Sequence, residues 1–236
     1  ELGLDGEDDD VDYLEKAGDQ AMQNYANSEA IQFYTQALEW DSRLPTPPAM
    51  ESAWQRQVRR ARWHSRLGLS YYGLGSLPDC DKHVREALQL LGSPIPNSST
   101  QFALGIFPQV LRQTFHRFFP SRYVGFVKGQ DREAAVEVAR LYELMSRIYF
   151  YSNETLPIVY TAIRFLNEAE KAGRSPELAS AYASMAVLAG FMQLHKLAET
   201  YVERGIAVSE EVNQISNRIT VGVVTSLYRL TVGKWD

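Results

Sequence analysis

Three stretches of this chain set small and aromatic side chains at one shared spacing. Residues 13–40 carry Ala17-Gly18-x2-Ala21 and then Ala30-x3-Tyr34-x2-Ala37, with nine residues from Ala21 to Ala30. A second copy reads Leu67-Gly68-x2-Tyr71 and then Cys80-x3-Val84-x2-Ala87, again nine from Tyr71 to Cys80. The third is Tyr182-x2-Met185-Ala186-x2-Ala189 and Ala198-x3-Val202-x2-Gly205, with the same nine-residue step from Ala189 to Ala198. Small residues at this spacing let two antiparallel helices approach closely while an aromatic fills the gap beside them. The repeat therefore predicts helix pairs, and no stretch alternates apolar and polar residues long enough to require a sheet.

The pattern resembles the tetratricopeptide repeat. A degenerate fourth copy is expected at Ala162-x3-Leu166-x2-Ala169, with residues 141–151 as its looser first helix, so that equivalent small residues fall at 30, 80, 162 and 198. The expected fold is all-α, a tetratricopeptide-like α-solenoid of about four to five antiparallel helix pairs, the last one truncated. Residues 1–11 read as an acidic linker and 12–236 as the solenoid, interrupted by an irregular insert at about 92–129 with one or two short helices. The ten prolines fall between helices or at their starts: Ser175-Pro176 is an N-cap followed by Pro at the first helical position, and Pro78 and Pro157 read as entries to second helices. Val223, Val224, Leu227, Tyr228 and Leu230 are expected near an open end. A solenoid unit buries its apolar face against the next, so the chain reads as a fragment of something longer.

Charge and composition limit the function classes. Of 236 residues, 24 are basic and 29 acidic, a net charge of -5, so no global positive field gathers nucleic-acid phosphates or anionic lipid. One cysteine, Cys80, excludes an intrachain disulfide and suits a reducing compartment. The N-terminus is acidic where an export signal is basic and then apolar, and the longest apolar run, 181–192, is too short for a bilayer span. A cytoplasmic chain without membrane or nucleic-acid partners is expected.

The chemistry-bearing residues give weak signals. Asp8, Asp10 and Asp12 have the alternate spacing that opens a calcium loop, but Tyr13 stands where that loop needs glycine. Cys80 and His83 would be half of a zinc site without a second pair, so Cys80 reads as a buried structural thiol. His64, His83, His116 and His195 are scattered, without HExxH. Gly68 and Gly73 have the gap of a phosphate loop, but Leu74 replaces its lysine. No catalytic residue, metal site or cofactor is expected. Arg56, Arg59, Arg60, Arg62 and Arg66 form one basic stretch; Arg112, Arg117, Arg122 and Lys128 form another among Phe115, Phe118, Phe119, Tyr123 and Phe126. Such mixtures can grip single strands, yet at helical spacing the rings suit a core or a docking surface for another domain, with arginine stems covering them. The remaining candidate is the concave face lined by first helices, where Glu15, Asp19, Arg62, Ser65, Tyr72, Arg140, Glu143 and Arg147 would meet a peptide or partner helix.

Several phrases resemble the repeat region of large bacterial signalling ATPases, especially class III adenylate or guanylate cyclases that join an ATPase domain to tetratricopeptide repeats. They lie in residues 13–40, 90–96 (LLGSPIP), 109–125 (QVLRQTFHRFFPSRYVG), 149–201 (including FLNEAEKAGRSPELASAYASMAVLAG) and 230–236 (LTVGKWD), about half the chain. The resemblance implies a regulatory scaffold segment that works through protein contacts, with other domains of the same polypeptide or a partner protein. None of that family's catalytic residues has a counterpart here. A free-standing adaptor that binds a peptide in its groove is the alternative.

Overall fold

A computed structural model describes residues 5–43 and 52–231, with side chains from Val11 onward apart from 120, 121 and 231. Among the described residues the protein is all-α: α1 Asp5–Gln23, α2 Asn27–Arg43, α3 Ala53–Gly73, α4 Leu77–Leu90, α5 Ser99–Phe118, α6 Pro120–Tyr123, α7 Gln130–Tyr151, α8 Thr155–Ala172, α9 Pro176–Phe191, α10 His195–Val212 and α11 Ile215–Thr231. The chain divides into two compact units, Glu1–Ile95 and Pro96–Asp236. The boundary falls inside the insert expected at about 92–129.

Four helix hairpins recur, α1/α2 and α3/α4 in the first unit, α7/α8 and α9/α10 in the second. Each turns through one left-handed residue: Tyr25, Gly75, Asn153 and Gln193, with φ of 58°, 77°, 56° and 61°. At every turn the left-handed residue's N–H donates to the carbonyl three residues back, and the next N–H donates to the carbonyl five back: Ala26 to Ala21, Ser76 to Tyr71, Glu154 to Tyr149, Leu194 to Ala189. This is the Schellman arrangement, which satisfies carbonyls that a helix end leaves unpaired.

The turns correct the fourth copy. Five residues after each left-handed position come Ala30, Cys80, Ile158 and Ala198, so the counterpart of Ala30 is Ile158 rather than Ala162. Ala162 matches Tyr34, Val84 and Val202. A four-residue shift along a helix keeps the same face, which is why spacing alone misplaced it.

Close helix approach explains the small residues. A Cβ at Gly18 would lie 2.8 Å from the Tyr34 ring, at Gly68 2.8 Å from Val84 Cγ2, and at Gly190 2.6 Å from the Tyr228 ring. In the first unit Val11, Leu14, Ala21, Ala30, Tyr34, Ala37, Trp63 and Leu67 make one core. Asp41 is fully buried beside α3, where Arg56, Arg59 and Arg60 all reach its carboxylate at 3.0–3.2 Å. In the second unit α9 is apolar around nearly its whole girth because α7, α8, α10 and α11 all pack on it.

Three expectations change. The acidic linker is helical from Asp5, since an acidic sequence suits a helix N-terminus and Val11 and Leu14 draw α1 onto the core. The insert holds a 20-residue helix, α5, with Pro108 inside it; Leu104, whose carbonyl the proline leaves without a partner, is 72% exposed, so water can serve that oxygen. Tyr228 is buried under Gly190, while Ile215, Ile219, Val223, Leu227 and Leu230 form the exposed stripe of α11.

Candidate functional site

The charged residues expected to line a groove are all engaged in ion pairs, some with one another and some with other residues. In the first unit α1 and α3 face across Glu15 Oε1 and Arg62 Nη1, 3.7 Å apart, and Asp19 Oδ1 and Arg66 Nε, also 3.7 Å apart. Asp19 is held from behind by the Tyr34 hydroxyl, which donates to it at 2.7 Å; burial and that neighbouring carboxylate push the Tyr34 hydroxyl's pKa well above its ordinary value. Ser65 is buried in α3 rather than turned to a ligand, and Tyr72 is half-buried. In the second unit Arg140 of α7 donates from Nε to Glu177 of α9 at 2.8 Å and approaches Glu137 at 3.4 Å. Arg147 and Glu143 pair along α7 at 2.7 Å. The Glu15–Arg62, Asp19–Arg66 and Glu143–Arg147 pairs are partly exposed and worth little to stability, whereas the two carboxylates that hold Arg140 are buried.

A second candidate surface lies on α5. Leu104, Phe107, Leu111, Phe115, Phe118 and Phe119 are each roughly half to three-quarters exposed. The helix is fastened from its other side. Phe102 meets Tyr149 and Tyr160 edge-on at 5.9 and 5.4 Å. Gln113 Nε2 donates to Asn167 at 2.8 Å and to Glu170 at 2.7 Å, and Asn167 Nδ2 donates to Gln109 at 2.9 Å. Glu170, 1% exposed, also lies 2.6 Å from His116 Nδ1 and accepts from the Tyr182 hydroxyl at 3.0 Å. His116 is therefore a core residue that ties α5 to α8. Beside it opens a pocket of about 320 Å³ between Leu111, Arg112, Phe115, Tyr123, Phe126 and Lys171. Arg112 and Lys171 on its rim both approach Glu168.

Cys80 is buried, and burial lifts its thiol to about 12, so it stays protonated and inert. The histidines are less scattered than the sequence implies: His64 Nδ1 and His83 Nδ1 lie 3.0 Å apart, with Glu86 alongside. Burial pushes both imidazoles down, His64 to about 4, which keeps them neutral. The sequence sets His83 beside Cys80 on its own helix but hides His64, nineteen residues back, because proximity across a hairpin shows only once the turn is placed. The calcium-like run falls largely outside the described side chains. No described helix is long and apolar enough to cross a membrane. Comparison with protein-family models, with curated proteins and with solved structures gave no match.

Proposed function

We propose that this chain is a tetratricopeptide-like scaffold segment that works by protein contacts, the regulatory helical region of a cytoplasmic, multidomain signalling ATPase linked to a nucleotide cyclase. The reading makes the segment itself non-catalytic. One observation carries the contact role: the apolar face of α5, from Leu104 to Phe119, stands in solvent while the other side of the helix is hydrogen-bonded into the unit. Large exposed apolar patches mark interaction surfaces. The link to a signalling ATPase rests on the resembling phrases in residues 149–201 and at the chain's two ends.

The test is the mass of the native gene product on a denaturing gel, detected with an antibody against this segment. A band several-fold above 26.8 kDa supports the multidomain reading; a band near that mass overturns it and leaves a free-standing adaptor. The adaptor reading has its own support in the loose pairs Glu15–Arg62 and Asp19–Arg66. Reversing Arg140 and Arg147 to glutamate tests the groove: unchanged partner affinity assigns contact to α5.

A further inference from the structure

Because the four hairpins share one turn, residues at equal distance from it occupy equivalent places. Eleven residues before the left-handed position, and eight and eleven after it, come Leu14, Phe33 and Gln36 in α1/α2; Tyr142, Thr161 and Arg164 in α7/α8; and Tyr182, Tyr201 and Arg204 in α9/α10. In α7/α8 the Arg164 guanidinium lies 4.9 Å from the Tyr142 ring centre. In α9/α10 Arg204 lies 5.9 Å from the Tyr182 ring, which stacks on Tyr201 at 6.0 Å. The layer belongs to the apolar core in one hairpin and sets arginine over an aromatic in two.

In α3/α4 the same three places hold His64, His83 and Glu86. His64 Nδ1 lies 3.0 Å from His83 Nδ1 and 3.0 Å from Glu86 Oε2, and His83 Nδ1 lies 3.8 Å from that same oxygen. The ring centres are 5.3 Å apart, so the two imidazoles meet edge to edge with their Nδ1 atoms facing each other, and Tyr71 stacks on His83 at 5.4 Å and 6°. Three atoms that bear lone pairs thus converge. One shared proton bridges one of these contacts; a divalent cation bridges all three.

We propose that His64, His83 and Glu86 bind a divalent transition ion of the Zn²⁺ class, with a fourth coordination position open to water. An ion about 2.05 Å from each atom, the Zn²⁺ distance to imidazole and carboxylate, would stand about 0.7 Å off the plane that these separations define. A tetrahedral ion stands off each face of its ligands by a third of the bond length, again about 0.7 Å. The triangle is therefore already the size of one face of a zinc tetrahedron, and both imidazoles would have to turn from their head-on contact to aim their Nδ1 lone pairs at the ion. Both rings would need the tautomer that carries its proton on Nε2. Glu86 is 42% exposed on its side chain, so the open position faces water, as in three-ligand zinc sites.

Charge alone does not make the site. Arg60 and Lys82 act on His64, and Lys82, Glu86 and Asp79 act on His83, so local cations offset local carboxylates. Arg60 is occupied with Asp41 at 3.2 Å. Affinity must come from imidazole bonding, which selects zinc-like ions over calcium or magnesium, whose oxygen-rich shells one carboxylate cannot supply. This inference is independent of the scaffold reading.

The test titrates the full chain, stripped with a chelator, with Zn²⁺ by calorimetry and with Co²⁺ as an optical probe. One ion per chain is expected, with the intense visible bands of four-coordinate Co²⁺ and no response to Ca²⁺ or Mg²⁺. Glu86→Gln should weaken binding by at least the roughly tenfold to hundredfold that an outer-shell change costs. The pair His64→Leu with His83→Phe, which restores the residues of the first hairpin, should abolish it with unchanged far-UV circular dichroism. Absence of binding at micromolar Zn²⁺, or affinity unchanged from the parent chain in Glu86→Gln or in the paired variant, overturns the proposal. Glu86→Gln decides the matter if the paired variant fails to fold.

Discussion

The hairpins α1/α2 and α3/α4 share a unit, a turn and a nine-residue step, yet they fill the space between their helices differently. In α1/α2 the glycine gap is closed by an aromatic ring: Gly18 admits Tyr34, whose hydroxyl reaches back to Asp19. In α3/α4 the corresponding gap is closed by Val84 against Gly68, and polarity is moved to a neighbouring layer of two histidines and a glutamate. The first arrangement is a ring locked by one hydrogen bond, and the second is a small apolar plug beside a polar cluster. The backbone specifies how closely two helices approach, while the side chains between them remain open to different chemistry.

Four measurements would sharpen or break that contrast. Tyr34→Ala removes a fully buried ring, so urea denaturation should show a loss of about 3 to 5 kcal/mol; Val84→Ala should lose about 2 kcal/mol, two methyl groups plus the cavity they leave. Equal losses would mean that the two gaps are energetically alike. Next, Gly18→Ala and Gly68→Ala each drive a methyl to 2.8 Å from a neighbour and should cost about 1 to 3 kcal/mol. Gly18→Ala is expected to be the costlier, since a buried ring yields less than a valine methyl.

The paired exchange His64→Leu with His83→Phe replaces both polar partners together, so metal-free stability should change by about 1 kcal/mol or less. A loss above about 3 kcal/mol in thermal or urea unfolding would show that the polar layer holds the hairpin together. Finally, the two layers should differ in pH response. His64 titrates at about 4 in the folded chain against an ordinary 6.5, so the unfolded state takes up its proton first. Stability of the metal-free protein should be complete above about 6.5, fall between about 6.5 and about 4, and level off below that. The paired variant should lack this component. A difference between the two proteins that does not change with pH would refute it.

The helix hairpins were legible because close approach needs small residues at fixed places, and Ala21, Ala30, Gly68 and Cys80 declare those places in the chain. The fourth hairpin was legible as a hairpin but not in its alignment, since Ala162 and Ile158 lie on one helix face. Pro108 hid the length of α5: its lost hydrogen bond falls on the exposed side of the helix, where water can serve the Leu104 carbonyl, and the helix continues. Of the residues expected to line a groove, Glu15 pairs with Arg62 and Glu143 with Arg147, while Asp19 turns to Arg66, Arg140 to Glu177 and Glu137, and Ser65 is buried. The contact of His64 with His83 was out of reach because nothing on either helix alone announces the other.

The recurring left-handed turn makes each hairpin an interchangeable mount. Since Tyr182, Tyr201 and Arg204 hold the places that His64, His83 and Glu86 hold in α3/α4, writing His, His and Glu there would be a graft of three side chains onto an unchanged frame. A lineage that carries such hairpins can gain, move or discard a polar centre by three substitutions, without inventing a new fold to house it.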